Sequence, residues 1–352
     1  MSGKQIGILT GGGDCPGLNA VIRAVVRRAV VNFGWSVLGI KEGWRGLLDD
    51  HLTDPLNLSS VSGILHRGGT ILKTSRTNPA AVEGGMERVA RRLNQLQLHG
   101  LVAVGGDDTL GVAASLAKNG LPVVGVPKTI DNDLSGTDYT FGYDTAVNTA
   151  MDAIDRVHTT AESHNRVMVV EVMGRHSGWI AVGAGMAAGA DFILIPEFPM
   201  PIKDICASIH KRHARGKDFS IVVVAEGARV EFEQAPTEDG LILQTSERDA
   251  FGHIRLGGIG KVLAEEIERI TGFETRFVIL GHIQRGGSPT AFDRVLGTRL
   301  GAYAVDMIAR GDFGCMAALQ GNQIVSVPLD ESTSRTKKVD RDLYDIAATF
   351  FD

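Results

Sequence analysis

Residues 5–33 read QIGILTGGGDCPGLNAVIRAVVRRAVVNF, and the change of period inside this stretch decides the fold. Gln5–Leu9 is a short, mostly apolar run that reads as a buried strand. Three glycines follow. Beyond Pro16 the apolar residues Leu18, Val21, Ile22, Val25, Ala29 and Phe33 recur at three- and four-residue spacings, the pattern of a helix with one buried face. Arg23, Arg27 and Arg28 fall largely on the other face. The same order then repeats, with strands predicted over 101–105, 122–126, 167–172, 192–195, 220–225 and 276–280. Helices are predicted over 109–118, 143–160, 178–188, 258–270 and 290–309. Strands alternating with helices predict parallel sheets covered by helices on both faces, an α/β fold. Ligands in such sheets gather beyond the carboxyl ends of the strands, where the glycine-rich and charged motifs of this chain fall.

A chain of 352 residues is long enough for two domains with cores of their own. Its 43% hydrophobic and 22% charged residues are a globular composition. A net charge of -5 argues against nucleic acid as the main partner, because phosphate backbones select basic surfaces. Cys15, Cys206 and Cys315 form no Cys-x-x-Cys pair, which points away from a zinc site or a disulfide framework and toward a reducing compartment. The longest uncharged stretch, 177–190, is too short and too rich in glycine to span a bilayer. The first residues run into a strand without an apolar leader. The expectation is a soluble cytoplasmic protein that binds neither nucleic acid nor membrane. The acidic segment 230–250 reads as an exposed insertion or hairpin, and the charged tail beyond 330 as surface, with YDIAATFF able to dock as a helix.

Three constellations carry chemistry. The turn TGGGDCPGLN (10–19) strips side chains from Gly11, Gly12 and Gly13 just before a helix, which points N–H groups and a helix N-terminus at an anion. Taken alone it is equally a plain strand-to-helix turn. Gly-Lys-Ser and Gly-Lys-Thr occur nowhere, so it is not a Walker A loop. VGGDDTL (104–110) ends a second apolar run in the same way, yet it carries two adjacent carboxylates, Asp107 and Asp108, where a phosphate would be expected. VPKTIDNDL (126–134) ends a third. Read as extended chain, it projects Thr129, Asp131 and Asp133 to one side at steps of about 7 Å. Two carboxylates and a hydroxyl placed so can accept a proton and organise a metal, although the same residues also serve as caps and turn formers. Arginines flank two further runs: Arg166 and Arg175 in HNRVMVVEVMGRHSG (164–178), and Arg276 and Arg285, with His282, in ETRFVILGHIQRGGSP (274–289). Guanidinium groups beside glycine suit bidentate phosphate recognition. Together these features predict Mg²⁺-assisted phosphoryl transfer to a sugar-phosphate hydroxyl.

The motifs GGGDCPGLN, PKTIDNDL, GTDYTFGYDTA, EVMGRHSGW and GHIQRGGSP are jointly similar to those of the 6-phosphofructokinase family, and the chain resembles that family from end to end, most closely over 5–310. The resemblance implies two Rossmann-like parallel-sheet domains with the active site between them. Residues 1–141 plus about 284–330 would form the donor domain, 142–283 the fructose 6-phosphate domain, and 331–352 a C-terminal tail. It implies Asp131 as the base for the C1 hydroxyl, with Thr129 and Asp133 in the same substrate loop. By the same likeness Asp107 organises Mg²⁺ and Arg175 bridges the transferred group. Met173, Gly174 and Glu226 match sugar contacts, and His282 and Arg285 match binders of the 6-phosphate. Gly11, Gly12, Gly13, Arg76 and Gly106 fall on the donor side. Arg166 and Arg276 match arginines that reach the sugar phosphate from a neighbouring subunit, which implies a homodimer or homotetramer with shared sites.

Two departures concern the donor. ATP-using members typically carry glycine where this chain has Asp108, and again where it has Lys128. A carboxylate at 108 would fill the space of the nucleotide's α-phosphate and oppose its charge, by about 4 kcal/mol at 4 Å and an effective dielectric of about 20. Half of that repulsion weakens binding more than tenfold. Pyrophosphate has no third phosphate and no nucleoside, and Lys128 offers it a point charge. GGDD with PKTIDND therefore resembles the pyrophosphate-dependent members, with ATP as the alternative donor. A non-catalytic regulatory subunit is disfavoured because Thr129, Asp131, Asp133, Arg175 and Arg285 are all present. Lys73 stands where many relatives have glycine, either as a solvated charge or as a second donor contact. Arg23 and Arg27 match effector-binding arginines of bacterial ATP-dependent relatives, but His51 and His158 replace two others, so weak allosteric control is expected.

Overall fold

A computed structural model describes residues 3–49, 51–232, 243–248 and 254–351. It holds two parallel-dominated sheets. The larger has seven strands in the spatial order Gln323–Pro328, Cys315–Gln320, Val123–Pro127, Gly100–Gly105, Gln5–Thr10, Ser36–Ile40 and Thr53–Leu56. Its five inner strands run parallel, and the strand at each edge is antiparallel to its neighbour. The smaller has four parallel strands in the order Thr275–Ile279, Val167–Val172, Ser220–Ala225 and Phe192–Leu194. Continuous rather than alternating apolar runs explain this arrangement. Gly100–Gly105, Val123–Pro127, Val167–Val172 and Ser220–Ala225 are buried at every position, as strands covered on both faces must be.

The first helix, Leu18–Phe33, packs along the long helix Ala291–Arg310. Gly297 and Gly301 let the two backbones close up, since a Cβ at Gly301 would stand 2.7 Å from the Val21 carbonyl oxygen. Arg28 and Asp306 pair across them at 2.8 Å. The same long helix meets helix Tyr143–His164 through a buried polar joint. Asp293, fully buried, accepts from the Thr145 amide at 2.8 Å, and the Thr290 hydroxyl donates to Asp144 at 2.6 Å.

Most predicted elements form within one or two residues of their expected bounds, and Val167–Val172 and Ser220–Ala225 coincide with them. Helix Tyr143–His164 runs four residues beyond the predicted end and stops at Asn165, which takes the left-handed conformation. The strands Ser36–Ile40, Thr53–Leu56, Cys315–Gln320 and Gln323–Pro328 and the helices Gly85–Gln95 and Ile202–Ala214 were not expected. Of the acidic segment, residues 233–242 and 249–250 lie outside the described residues; Leu243–Arg248 pairs antiparallel with Ile254–Leu256. The tail does dock. Helix Arg341–Ala348 turns Tyr344 inward, where its hydroxyl donates to the Ile193 carbonyl at 2.9 Å. Among the described residues no helix is long and apolar enough to cross a membrane.

Candidate active site

In the larger sheet the chain order reverses between strands Gln5–Thr10 and Gly100–Gly105, the switch point beyond whose carboxyl ends sheets of this kind bind ligands. One wall is Gly11–Gly13. The Gly11 amide donates to Val104 at 2.9 Å, and the Thr74 hydroxyl closes on the Gly12 carbonyl at 2.6 Å. Gly12 has φ +78, a left-handed conformation that favours glycine. Gly13 lets Arg285 close on the turn, since a Cβ there would lie 2.7 Å from its Nη1. The other wall is the N-terminus of helix Asp107–Lys118, with Gly106 as its cap, Asp107 exposed and Asp108 half-buried in the first turn. Two acids there are favourable to the helix dipole and unfavourable to a bulky anion.

Lys128 reaches across the floor. It is 3% exposed, and its ammonium donates to the Gly13 carbonyl. Burial pulls its pKa below the ordinary lysine value, an effect opposed by Cys15, Asp14 and Asp131. The stretch that follows is not the extended chain expected from its sequence. The Thr129 hydroxyl accepts from the Asp131 amide at 3.1 Å, and Asn132 sits at φ 51, so the backbone turns. Asn132 fixes that turn by accepting from the Thr140 amide at 3.0 Å, while the Thr140 hydroxyl donates to the Thr129 carbonyl at 2.7 Å. Thr129, Asp131 and Asp133 converge because the loop is tied down, not through strand alternation.

The smaller sheet supplies the opposite side, again from its carboxyl ends. Met173, Gly174 and Arg175 follow Val167–Val172, Glu226 follows Ser220–Ala225, and His282 and Arg285 follow Thr275–Ile279. Gly227 lies so close to the Arg175 carbonyl that any side chain would collide with it, which holds Arg175 beside Glu226. The Ser177 hydroxyl donates to the Asp131 carbonyl at 3.1 Å and ties the two sheets together at the base loop.

Electrostatics make this a carboxylate cluster ringed by cations. Burial raises the Asp131 pKa, opposed by Arg285, Lys128 and Arg175, and its Oδ1 is buried without a hydrogen-bond partner among the described residues. Asp133 is pushed up to about 7, first by burial and then by the Asp131 charge, with Asp107 contributing. Glu226 is pushed up to about 7 by burial and then by Asp131. Among the described residues no three His, Cys, Asp or Glu groups form a metal cage. The donor set at Asp107 instead fits Mg²⁺, which is commonly held by one or two carboxylates and completed by substrate phosphate oxygens.

Arg166 and Arg276 lie elsewhere. They precede strands Val167–Val172 and open Thr275–Ile279, and both pair with Glu274, at 2.7 and 2.6 Å. At about 3.3 Å per residue, the strand Val167–Val172 sets Arg166 roughly 20 Å from the cluster, and Arg276 lies about 10 Å before the end of Thr275–Ile279. Arg76 is exposed on the loop whose Ser75 carbonyl accepts from the Gly12 amide at 3.2 Å. Lys73 is exposed at φ 57, and its carbonyl accepts from Thr10 at 2.9 Å. Glycine suits that position for backbone reasons. Three residues of the site were not singled out from sequence. Asp14 takes the Thr70 amide at 3.3 Å, Gln284 is fully buried and takes the Met173 amide at 3.3 Å, and Thr109 packs beneath Gly11 and Gly105. Asp14 and Gln284 lie inside quoted motifs, which was the available signal.

The phosphofructokinase family profile matches residues 5–308. The chain belongs to the phosphofructokinase family. A pyrophosphate–fructose 6-phosphate 1-phosphotransferase of Amycolatopsis methanolica is 55% identical to it over 99% of both chains. The ATP-dependent 6-phosphofructokinase 2 of Streptomyces coelicolor is 52% identical over 99% of this chain and all of its own. A pyrophosphate-dependent phosphofructokinase structure from Nitrosospira multiformis superposes with a TM-score of 0.82 at 19% identity, covering 99% of this chain and 91% of that one. That likeness fixes the phosphofructokinase fold. Overall identity therefore separates the donors by only a few per cent, and the donor must be argued from the site.

Proposed function

We propose that this phosphofructokinase transfers a phosphoryl group from pyrophosphate to the C1 hydroxyl of fructose 6-phosphate, giving fructose 1,6-bisphosphate and phosphate. The observation that carries this reading is the crevice floor: the Lys128 ammonium sits on the Gly11–Gly13 loop, opposite a helix N-terminus that already holds Asp108. That space accepts a short, doubly phosphorylated donor and opposes the longer nucleotide.

In this reading Asp131 takes the hydroxyl proton. Its Oδ1 is buried with no hydrogen-bond partner among the described residues, and its raised pKa brings its basicity nearer neutrality. The hydroxyl oxygen bonds to the near phosphorus as the bridging P–O bond breaks, and inorganic phosphate leaves. Arg175 and Lys128, facing the Gly11–Gly13 turn, surround the group in transit and stabilise its spreading charge. Mg²⁺, held at Asp107, would neutralise charge on the donor phosphates. Met173, Gly174 and Glu226 orient the sugar, while His282 and Arg285 hold its 6-phosphate. Because one phosphate ester replaces one phosphoanhydride without nucleotide, the exchange runs readily in both directions. The larger sheet, 1–141 with about 284–330, serves the donor, and 142–283 the sugar phosphate. Arg166 and Arg276, set back along their strands from their own cluster, serve the site of a second copy, so the working enzyme is a homo-oligomer.

The test is initial rates with fructose 6-phosphate and Mg²⁺, with pyrophosphate or ATP as donor, on the native chain and on an Asp108→Gly, Lys128→Gly double variant. The expected outcome is turnover with pyrophosphate alone in the native chain, and a gain of ATP use with loss of pyrophosphate use in the variant. Native preference for ATP would overturn the donor assignment.

A further inference from the structure

The catalytic loop has a second support that the family motifs do not include. Residues 334–340 of the tail cross behind residues 133–138, and the contacts are specific. The Lys337 amide donates to the Asp133 carbonyl at 2.7 Å. Its ammonium donates to the carbonyls of Thr137 at 3.0 Å and Asp138 at 2.6 Å. Thr336 bridges to Leu134, and the Ser135 hydroxyl donates to the Arg335 carbonyl at 2.9 Å. Trp179 holds the strap from the other side, with its indole N–H on the Lys337 carbonyl at 3.2 Å and its ring 5.1 Å beneath the Lys337 ammonium. Val339 then anchors to Glu197 at 3.1 Å.

A cavity of about 1080 Å³ opens on this side, between Tyr139, Tyr143 and Trp179 and the strap. On this side, hydrogen bonds from the strap brace the loop, beside the buried side chain of Leu134. Lys337 supplies three of them. Its charge also meets the backbone carbonyls of a loop whose Asn132 holds a left-handed φ of 51, a conformation that persists only when neighbours over-determine it.

We propose that Lys337 is a positioning residue: through the Asp133, Thr137 and Asp138 carbonyls, the C-terminal strap fixes the turn that presents Asp131 and Asp133 to the sugar hydroxyl. This rests on the reading of Asp131 as the base, and it adds to that reading a tail element on which the base's geometry depends. The strap acts on the bonded geometry and not on substrate contacts, so its loss lowers turnover more than it alters apparent affinity.

The experiment compares the full-length native chain with Lys337→Met, which keeps the aliphatic stem over Trp179, with Lys337→Arg, and with Ser135→Ala, a single-bond loss at the same strap. Two readouts are taken: steady-state kinetics with whichever donor the native chain uses, and amide hydrogen exchange over 129–141. Lys337→Met is expected to lower kcat at least about tenfold with KM changes within about threefold, and to speed exchange over 129–141 while the sheet strands stay protected. Lys337→Arg should recover part of both, and Ser135→Ala should move both slightly in the same direction. Native kcat and native exchange in Lys337→Met would overturn the proposal. Were Lys337→Met not to fold, unchanged kcat and exchange in Ser135→Ala would do so. A failed donor assignment shows up separately, as native turnover with ATP, and leaves the exchange readout intact.

Discussion

Asp131 shows how placement equips a side chain for the role of base proposed for it. Its carboxyl is removed from water, which raises its pKa, and the charges of Arg285, Lys128 and Arg175 oppose that rise. One of its oxygens is buried without a hydrogen-bond partner among the described residues, although buried acceptors are nearly always bonded. A substrate hydroxyl would complete it. Asp131→Asn should therefore lower kcat by about 10²–10⁴-fold while leaving KM for fructose 6-phosphate little changed. Initial rates across both substrates check this; a variant that keeps native turnover would assign the proton to another group. At this scale the sequence was informative about identity and poor about geometry. The residues of PKTIDND are the ones that converge, but strand alternation was the wrong reason. The left-handed Asn132 and the Thr129–Asp131 turn bring them together. Lys73 is a parallel case: its φ of 57 accounts for glycine at that place in relatives, a backbone fact that no charge argument could supply.

At the scale of elements, the strand-to-helix units were legible because each carries its own period and its own glycine turn. The elements that escaped are edge strands and short helices whose periodicity is brief. The joint between helices Tyr143–His164 and Ala291–Arg310 escaped for a different reason: it is made of Thr145, Thr290 and Asp293, polar residues that read as surface. Burial pushes the Asp293 carboxyl up to about 6 from an ordinary 3.8. The folded chain thus holds this proton more tightly than the unfolded chain does. The group's contribution to stability is full below about pH 4 and is lost as pH rises through about 6. Asp293→Asn is neutral throughout. From pH 4 to 7 the native chain should lose stability relative to this variant by on the order of 3 kcal/mol, at 1.36 kcal/mol per pKa unit. Urea unfolding midpoints across that range test it, and a pH-independent difference would count against the assignment.

For the whole molecule, the placement of the two strand-opening arginines is decisive. Arg166 and Arg276 gather on Glu274 at the amino ends of their strands, while the other residues proposed to contact the sugar phosphate lie beyond carboxyl ends. In the proposed reading, a chain working alone would leave them only their ion pairs with Glu274. If sites are completed by a neighbour, chains carrying Asp131→Asn and chains carrying Arg276→Ala, each nearly inactive, should regain activity when refolded as a mixture. A statistical share of sites then has an intact base from one chain and an intact arginine from the other. Mixtures no better than their parts would show that each site is built by one chain. Such long-range facts are the least legible in a sequence. The strap that ties Lys337 to Thr137 joins positions 200 residues apart, and no local pattern announces it.

Thr275–Ile279 has a further consequence for the life of the newly made chain. It is the outer strand of its sheet, and it shows Phe277 at 41% and Ile279 at 46% exposure, with Ile283 at 57% just beyond. An outer strand with apolar side chains is an invitation to pair with the wrong neighbour. Arg276 precedes Phe277 on this strand and alternates to its other face, and charge on an edge strand deters such pairing. The residue argued to serve a neighbour's substrate is thus also placed to guard the chain against aggregation before it has found that neighbour.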